Sequence, residues 1–280
     1  MRDFVYHRAT SLDEARQLAA ADGAMLLAGG QSLLRDMKLG LQSPASLVDI
    51  TSVIDKRIEL RHGAIWIGAG ATHAEAANSP VLRNHMPVLA SLVEHIGDPA
   101  VRHRGTLGGA LAANEPAGDY PAACLALDAT IHTTAHDVVA SDFFIGQRRT
   151  ALESGEIVTA ATFPVVQQAS YIKFLNPAAR YAMVGAFAAL AGANPRIAIT
   201  GARADGAFRW RDAETALKAG FVIENLRDIH LSADGLAVDL FADAEYRRHL
   251  AEVLTRRAVA LASGPAPGVK VISHGSPQTF

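Results

Sequence analysis

The sequence contains almost no cysteine, since Cys124 is the single one among 280 residues. One thiol excludes an intrachain disulfide, a four-cysteine zinc site and a cysteine-ligated iron–sulfur cluster built by this chain alone. Cys124 lies in the apolar stretch AACLALD, which predicts a buried thiol without a chemical role. We therefore expect a protein of the reducing cytoplasm.

An excess of one charge and a long apolar run are also missing. Lysine and arginine together number 26 and aspartate and glutamate 28, so the formal net charge of −2 does not favour nucleic-acid binding. The longest weakly polar run, residues 181–193, is too short to span a bilayer. The charged residues near the N-terminus predict no signal peptide.

Common catalytic and metal-binding motifs are absent as well. The sequence has no G-x-S-x-G, no H-E-x-x-H and no phosphate-binding G-x-x-x-x-G-K-[ST], and its 11 histidines are scattered. The stretch GAGATH (68–73) has two glycines of a dinucleotide-binding fingerprint but His73 in place of the third. The sequence thus predicts no catalytic residue, no metal site and no Rossmann site for a nicotinamide cofactor.

Helical and strand patterns alternate over the first part of the chain. Thr10 or Ser11 is expected as the N-cap of a first helix, and Glu14, three residues after Ser11, predicts a capping box. A short apolar strand runs into Gly29 and Gly30, and residues 81–96 predict a helix interrupted near Pro87. The alternation ends at the polar stretch VVQQAS, so we place a domain boundary near residue 168.

The remainder predicts a smaller domain. Strands are expected at 170–174, from Tyr181 onwards and in RIAITGA, followed by a helix in AETALKAG. The last helix has apolar residues at helical spacing, and its arginines are expected mostly on other faces. These apolar positions are Tyr246, Leu250, Val253, Leu254 and Val259.

Two glycine pairs stand beside small hydroxyl residues, in AGGQS (28–32) and TLGGA (106–110). Adjacent glycines tolerate positive φ and expose backbone N–H groups, and Ser32 and Thr106 add hydroxyl donors. A helix that begins near Gln31 would add its N-terminal dipole. Each loop suits a phosphate or pyrophosphate, but a lone glycine pair is also a common packing turn, and the residues alone leave both interpretations open.

Charged residues flank the second loop. Arg102 and Arg104 precede it, and they either neutralise an anion or pair with Asp98 and Glu115 at the surface. Asp119 follows it, and either accepts a hydrogen bond from a ring N–H or a ribose hydroxyl or caps a helix.

Four stretches occur in an order that resembles a known family: LLAGGQSLLRDMKLGLQSPASLVDI, IGDPAVRHRGTLGGALAANEPAGDYPAACLALDA, YIKFLNPAARYAMVGAFAAL and YRRHLAEVLTRRA. The chain resembles the FAD-binding medium subunit of molybdenum hydroxylases of the carbon-monoxide-dehydrogenase and xanthine-dehydrogenase type. The resemblance extends over nearly the whole chain, and its first two stretches are far more specific than a lone glycine pair.

The resemblance implies an α+β fold in two parts. Residues 1–167 would form a vanillyl-alcohol-oxidase-like FAD-binding domain, of the p-cresol methylhydroxylase type, with two α/β lobes at about 1–55 and 56–167. Residues 168–280 would form a small C-terminal α+β domain with an antiparallel sheet. FAD would bind non-covalently between the two lobes.

The resemblance also implies the cofactor contacts. The first loop would wrap the FAD pyrophosphate, and the second would complete the wrapping from the other lobe. Asp119 would contact the flavin side of the cofactor, Tyr181 would cover the isoalloxazine ring, and Lys173 stands at a basic position of the same motif. The implied contacts are Ala28, Gly29, Gly30, Gln31, Ser32, Leu33, Thr106, Leu107, Gly108, Gly109, Ala110, Asp119, Lys173 and Tyr181.

Two departures from the family pattern lie beside these loops. Relatives often carry HADP where this chain has AANEP (112–116), and we expect Asn114 there to alter the flavin potential or the access of an acceptor. Arg35 and Asp36 stand where many relatives have proline and an apolar residue. They belong either to the exit of the first loop or to a contact with a partner subunit.

The function that the resemblance implies is electron transfer within a multisubunit oxidoreductase. A large subunit would bind molybdopterin, a small subunit would hold two [2Fe–2S] clusters, and FAD in this chain would pass electrons to NAD⁺, a quinone, oxygen or another acceptor. The assembly would be a dimer of heterotrimers. Two alternatives stay open: a stand-alone FAD-dependent oxidase or reductase of the same superfamily, and a scaffold that binds no flavin.

Overall fold

The computed structural model describes residues 2–177 and 180–264, together with the backbone of 269–272. Its first sheet is parallel, with the strand order β1-β3-β2. Parallel neighbours require crossover connections, and a helix provides each one here. In chain order these elements are β1 (Val5–Arg8), α1 (Leu12–Ala19), β2 (Ala24–Leu27), α2 (Leu33–Lys38) and β3 (Ser46–Asp49).

The start of α1 forms half of the predicted capping box. The backbone N–H of Glu14 donates to Ser11 Oγ at 3.1 Å, as an N-cap requires. The carboxylate of Glu14 accepts from the backbone N–H of Thr10, at 2.7 Å, instead of that of Ser11. The return bond is therefore displaced by one residue towards the N-terminus.

The second sheet is antiparallel, with the strand order β4-β5-β10-β6-β7, and helices occupy the long connection between β5 and β6. The predicted interruption at Pro87 is confirmed, because α4 ends at His85 and α5 begins at Pro87. The elements are β4 (Ile58–Arg61), β5 (Ala64–Gly68), α3 (His73–Asn78), α4 (Pro80–His85), α5 (Pro87–Glu94), α6 (Pro99–Arg104), α7 (Leu107–Ala113), α8 (Asp119–Ala126), β6 (Thr130–Thr133), β7 (Asp137–Val139), α9 (Ala140–Phe143), the hairpin strands β8 (Phe144–Gly146) and β9 (Arg149–Thr150), and β10 (Val158–Pro164).

The third sheet has the order β14-β13-β12-β11-β15. Its first four strands pair antiparallel, as the family resemblance implies, while β15 joins the edge in parallel to β11. The elements are β11 (Gln168–Leu175), β12 (Ala182–Ala191), β13 (Asn194–Thr200), β14 (Phe208–Arg209), α10 (Arg211–Leu217), a 3₁₀ turn (Ile223–Leu226), α11 (Ala244–Ala262) and β15 (Val269–Ile272).

Both faces of the third sheet are covered. Helix α11 packs on β11 and β12, and α8, which precedes the predicted boundary, packs on β12 and β13. Tyr171 and Phe187 of the sheet consequently belong to the same apolar core as the two preceding sheets. Strand β11 begins at residue 168, but a division into domains at that residue stays a prediction.

Helix α11 shows one departure from the sequence pattern. Its arginines are predicted to lie away from the apolar face, yet Arg247 is buried, and Tyr246 is partly exposed. The guanidinium of Arg247 donates to the carbonyl oxygens of Met183 and Gly201 at 2.7 and 2.8 Å. Its Nη2 also pairs with Asp239 Oδ2 at 2.5 Å. Backbone acceptors and this countercharge thus make burial of the guanidinium tolerable. The predicted apolar positions Leu250, Leu254 and Val259 are buried.

No helix within residues 2–177 and 180–264 is long and apolar enough to cross a bilayer.

Candidate cofactor-binding site

A cavity of about 700 Å³ lies where the two N-terminal sheets and the C-terminal part of the chain meet. Its volume is within the range of about 300–1,000 Å³ that is usual for ligand and cofactor pockets. Both glycine loops reach it, although they are far apart in the sequence. The predicted contacts that line it are Ala28, Gly29, Gly30, Gln31, Ser32, Leu33, Thr106, Gly108, Gly109, Ala110, Asp119 and Tyr181.

The first glycine loop leaves the carboxyl end of β2 and lies directly against the second. A Cβ at Gly29 would stand 2.0 Å from the carbonyl oxygen of Arg104, a distance that no side chain could tolerate. Gly30 has φ of +72°, a conformation that costs other residues about 1–2 kcal/mol. The two glycines are therefore required for different reasons, close approach at Gly29 and backbone conformation at Gly30.

The second glycine loop rests on the stretch 68–73. The backbone N–H of Gly108 donates to the carbonyl of Ala69 at 2.8 Å, and that of His73 donates to the carbonyl of Gly105 at 2.9 Å. A Cβ at Gly108 would approach Ala69 Cβ to 2.6 Å. The stretch that resembles an incomplete dinucleotide fingerprint therefore supports this loop.

Each loop leads into a short helix whose first N–H groups lie at the cavity wall. Thr106 caps α7, because the backbone N–H of Gly109 donates to Thr106 Oγ1 at 3.2 Å. Ser32 stands at the N-cap position of α2, but its hydroxyl makes no capping bond within the described chain. The N–H groups of 107–109 are used by Ala71, Ala69 and Thr106, whereas those of 31–33 at the start of α2 have no acceptor among the described residues. These free amides beside the glycine pair are suited to bind an anion such as a diphosphate.

Asp119 is buried at the cavity wall and is held from the C-terminal side. The Tyr171 hydroxyl donates to Asp119 Oδ1 at 2.5 Å, and Lys173 Nζ donates to Asp119 Oδ2 at 2.8 Å. Lys173 Nζ also donates to the carbonyl of His95, at 3.0 Å. Burial, together with the charge of Asp119 and its hydrogen bond, raises the pKa of Tyr171, so this hydroxyl is a proton donor at neutral pH.

The predicted contacts Lys173 and Leu107 do not lie on this wall. Lys173 is fully buried behind Asp119, and Leu107 packs into the apolar core. Both stand in the correct segments, but each side chain supports a wall residue instead of lining the cavity.

His73 is a further polar group on the wall. It is buried, and its Nδ1 has no hydrogen-bond partner among the described residues. Burial lowers the pKa of His73 to about 4, and the nearby charge of Arg102 lowers it too, so the imidazole is neutral at pH 7. An unsatisfied buried nitrogen is costly, and a polar ligand in the cavity is one means of satisfying it.

Two of the charged residues named in the sequence have other partners than expected. Arg102 donates to the carbonyls of Ile96 and Gly97, both at 3.1 Å, instead of pairing with an acid. Asp98 caps α6 by accepting from the backbone N–H of Val101 at 2.9 Å.

Glu115 pairs with Arg35 at 2.8 Å and with Arg148 at 2.7 Å. Arg148, Asp36 and Glu115 line the cavity, so Arg35 and Asp36 belong to the surroundings of this site. Sequence reasoning missed Arg148, because nothing in the local pattern GQRRT distinguishes it from a surface arginine.

Asn114 lies behind the wall. It ends α7 with φ of +39°, and its amide donates to the carbonyl oxygens of Gly146 and Arg149 at 2.8 and 2.9 Å. Asn114 thus fixes the hairpin β8–β9, whose turn carries Arg148. Its position favours an indirect effect on the cavity over a direct contact with the cofactor.

The cavity fits FAD in its chemistry. The free amides of the first glycine loop, beside the second loop, suit a diphosphate. Asp119 offers acceptor oxygens, and Leu26, Ile96 and Ile157 give an apolar wall for a flat ring. No cluster of potential metal ligands occurs in the part of the chain that the structure describes.

Comparison with known proteins agrees with this geometry. The family described as "FAD binding domain in molybdopterin dehydrogenase" matches residues 2–166. The chain therefore belongs to the FAD-binding medium subunits of molybdenum hydroxylases, an oxidoreductase family, and its cofactor is FAD.

Particular relatives extend the match over almost the whole chain. The nicotine 6-hydroxylase medium subunit of Paenarthrobacter nicotinovorans is 30% identical over 269 residues, covering 91% of this chain and 95% of that protein. The carbon monoxide dehydrogenase medium chain of Hydrogenophaga pseudoflava is 31% identical over 274 residues, covering 91% and 96%.

Solved structures show the same fold. Reconstituted CO dehydrogenase from Oligotropha carboxidovorans superposes with a TM-score of 0.83 at 30% identity, covering 93% of this chain and 98% of the other. Quinoline 2-oxidoreductase from Pseudomonas putida 86 gives a TM-score of 0.83 at 28% identity, covering 93% and 97%.

Proposed function

We propose that this chain is an electron-transfer subunit, through which electrons pass from [2Fe–2S] clusters of a partner subunit to an external acceptor. The observation that carries the proposal is a cavity that joins both glycine loops with Asp119 and Tyr181. Relatives of this chain are medium subunits or medium chains of dehydrogenases and hydroxylases. FAD, when bound, supplies a carrier that exchanges electrons singly or in pairs.

The two glycine loops are proposed to bind the FAD diphosphate. Backbone N–H groups of 28–33 would donate from one lobe, and the Ser32 hydroxyl adds a donor that is not used as a cap. From the other lobe the N–H of Thr106 would donate, because the N–H groups of 107–110 already have acceptors within the chain. Because Gly29 lies against the carbonyl of Arg104, a single diphosphate could accept hydrogen bonds from both loops.

The flavin end is proposed to lie between Asp119 and Tyr181. Tyr171 and Lys173 hold the Asp119 carboxylate in one orientation, so it can accept a hydrogen bond from a flavin ring N–H without reorganising. The Tyr181 ring would cover one face of the isoalloxazine. Lys173 and Leu107 then act as supports for the wall and not as contacts.

The wider assembly follows the same proposal. Partners would be a large molybdopterin-binding subunit and a small [2Fe–2S] subunit, arranged as a dimer of heterotrimers in the cytoplasm. The chain itself would divide into a vanillyl-alcohol-oxidase-like FAD domain (1–167, with lobes meeting near residue 55) and a C-terminal domain (168–280). The first sheet lies before residue 55 and the second between 58 and 164, which supports this division.

The decisive experiment uses the native enzyme from its source. Gel filtration with subunit, flavin, iron and molybdenum analysis should show this chain together with two others. In a flavin-depleted preparation, substrate should still reduce the iron–sulfur clusters, but electron transfer to the acceptor should be lost and should return with added FAD. A lone chain that oxidises a substrate by itself would contradict the proposal and favour the stand-alone oxidase or reductase.

A further inference from the structure

Four charged side chains and one tyrosine form a connected group at the cavity, which we call the Arg35 network: Arg35, Asp36, Glu115, Arg148 and Tyr181. From its geometry we infer that Arg35 is a positioning residue, which fixes the Tyr181 ring over the flavin. This inference rests on the proposed position of the flavin beside Tyr181.

Arg35 uses every edge of its guanidinium. Its Nε donates to Asp36 Oδ1 at 3.0 Å, its Nη2 to Glu115 Oε1 at 2.8 Å, and its Nη1 to the Tyr181 hydroxyl at 3.0 Å. The planar fork of arginine can make these three bonds at once, which a lysine ammonium could not do with the same geometry. Arg35 therefore joins the exit of the first glycine loop to the C-terminal part of the chain.

Arg148 closes the group from the opposite side. Its Nη1 donates to Asp36 Oδ2 at 2.8 Å, while its Nη2 and Nε donate to the two oxygens of Glu115 at 2.7 and 3.1 Å. Each of the two carboxylates thus accepts hydrogen bonds from both arginines. Two positive and two negative charges balance, so the network holds Arg35 in place without a net charge of its own.

The acids of the network are better shielded than its arginines. Asp36 is buried, with 5% of its surface exposed, and Glu115 lies partly buried at the wall. Partial burial opposes the charge of Arg35, but hydrogen bonds to Glu115 and Asp36 outweigh that effect and raise its pKa above its usual value. Arg35 therefore stays charged at every working pH.

Tyr181 needs such a partner because little else restrains it. About half of its surface, 48%, is exposed, and it lines the cavity beside Arg180. Its backbone carbonyl accepts from the N–H of Asn176 at 2.9 Å, which fixes the main chain but not the ring. The bond from Arg35 is the hydrogen bond that its hydroxyl makes among the described residues.

The Arg35 network also bears on the two residues that depart from the family pattern in the sequence, Arg35 and Asp36. Arg35 donates to Tyr181 and Asp36 accepts from Arg148, and both of these partners line the cofactor cavity. The two residues therefore belong to the surroundings of the cofactor.

The test compares the fluorescence of bound FAD in purified enzyme variants, because an aromatic ring stacked on a flavin quenches its emission. Tyr181→Leu should give the largest increase. Tyr181→Phe keeps the ring and removes the hydroxyl that Arg35 reaches, whereas Arg35→Met removes the donor. A charge-assisted hydrogen bond supports about a tenfold difference between the populations of stacked and unstacked rings. Tyr181→Phe and Arg35→Met should therefore raise the unstacked fraction by a similar factor.

Non-additivity separates positioning from general damage. The fluorescence of FAD in the double variant Arg35→Met with Tyr181→Phe should equal that of either single variant. The fluorescence of Arg35→Lys should lie between those of Arg35→Met and the unchanged enzyme. Arg57→Met is the matched control, since Arg57 is an exposed arginine with two acidic partners away from the cavity. It should leave the fluorescence unchanged.

Two results would overturn the inference, and they are distinguishable. If Tyr181→Leu raises the fluorescence while Arg35→Met and Tyr181→Phe do not, or if those two effects add, Arg35 does not position the ring, although the flavin site stands. If Tyr181→Leu itself changes nothing, the proposed position of the flavin beside Tyr181 is wrong as well.

Discussion

The first glycine loop reaches the cavity by lying against the backbone of the second, whereas the second loop rests on the stretch 68–73 beneath it. Gly29 meets the carbonyl of Arg104, and Gly108 meets Ala69. The second loop also has a side-chain cap at Thr106, which the first lacks at Ser32. Loops of similar composition are therefore supported in different ways.

This difference in support predicts how changes in one loop affect the other. The segment after the second loop is tied to the C-terminal sheet through Asp119, Tyr171 and Lys173. The first loop instead contacts the backbone at Arg104, directly before the second loop. Changes to the second loop or its supports should disturb both loops, while changes to the outer residues of the first should act mainly on the cofactor.

The largest effect is expected at Gly29. In Gly29→Ala the new Cβ would meet a backbone carbonyl that cannot rotate away, so we expect a loss of more than about 3 kcal/mol, the upper end of overpacking costs, together with loss of FAD. Urea unfolding of the apoprotein measures the stability. Gly109→Ala is the matched variant, because its Cβ would meet only Thr106 Oγ1, at 3.0 Å, and it should be nearly neutral. Equal costs for the two variants would contradict the contact between the loops.

The next effect concerns the support of Asp119. Lys173→Met leaves a buried carboxylate without its countercharge, which costs about 3–5 kcal/mol. The double variant Lys173→Met with Asp119→Asn should recover part of that loss, because no uncompensated charge remains. Denaturant unfolding of Lys173→Met, of Asp119→Asn alone and of the double variant gives the coupling between the two residues. Independent, additive losses would show that the pair does not act as a unit.

A smaller effect concerns the dependence of stability on pH, and it originates at His73, which lies in the stretch beneath the second loop. Unfolded chains protonate histidine near pH 6.5, whereas the pKa of His73 in the fold is about 4. The unfolded state therefore binds more protons in this window, and stability falls as the pH is lowered from about 6.5 to 4, by about 3 kcal/mol in total. His73→Phe should flatten that part of the stability profile, and the exposed His85→Phe should not. An unchanged slope in His73→Phe would remove His73 as the cause.

The smallest effects should distinguish the two hydroxyls. Thr106→Ala removes an N-cap and should cost about 1 kcal/mol of stability in the apoprotein. Ser32→Ala removes no cap, so it should leave the apoprotein unchanged and weaken FAD binding alone. Thermal unfolding with and without FAD measures both effects. A stability loss in apo Ser32→Ala that matches that of Thr106→Ala would show that the loops are supported alike.

Much of this site could be predicted from the sequence, because its loops are local. Glycine pairs, adjacent hydroxyls and the family resemblance locate both walls of the cavity. The contacts that need tertiary structure were not predictable, such as the close approach of Gly29 to Arg104. Lys173 and Leu107 stand in the expected segments, but the side of the wall on which each lies depends on packing.

Buried charges were the least predictable feature of the fold. Arg247 is buried within a helix whose arginine-rich pattern predicts an exposed face, because carbonyl groups from β12 and the end of β13 accept its hydrogen bonds and Asp239 supplies its countercharge. Arg148 belongs to the cavity wall because Asn114 holds its hairpin there. In both cases some of the partners are distant in sequence, and local patterns contain no signal of them.

The most direct test of the central claim, that the two loops bind one diphosphate, is a comparison of FAD and riboflavin binding to the apoprotein by titration. Gly30→Val should abolish FAD retention but leave the weak binding of riboflavin, which has no phosphate, unchanged. Gly63→Val is the control, because Gly63 has a similar positive φ of +78° and open surroundings away from the cavity. If Gly30→Val retains stoichiometric FAD with the affinity of the unchanged protein, the loops do not hold the diphosphate and the account is wrong.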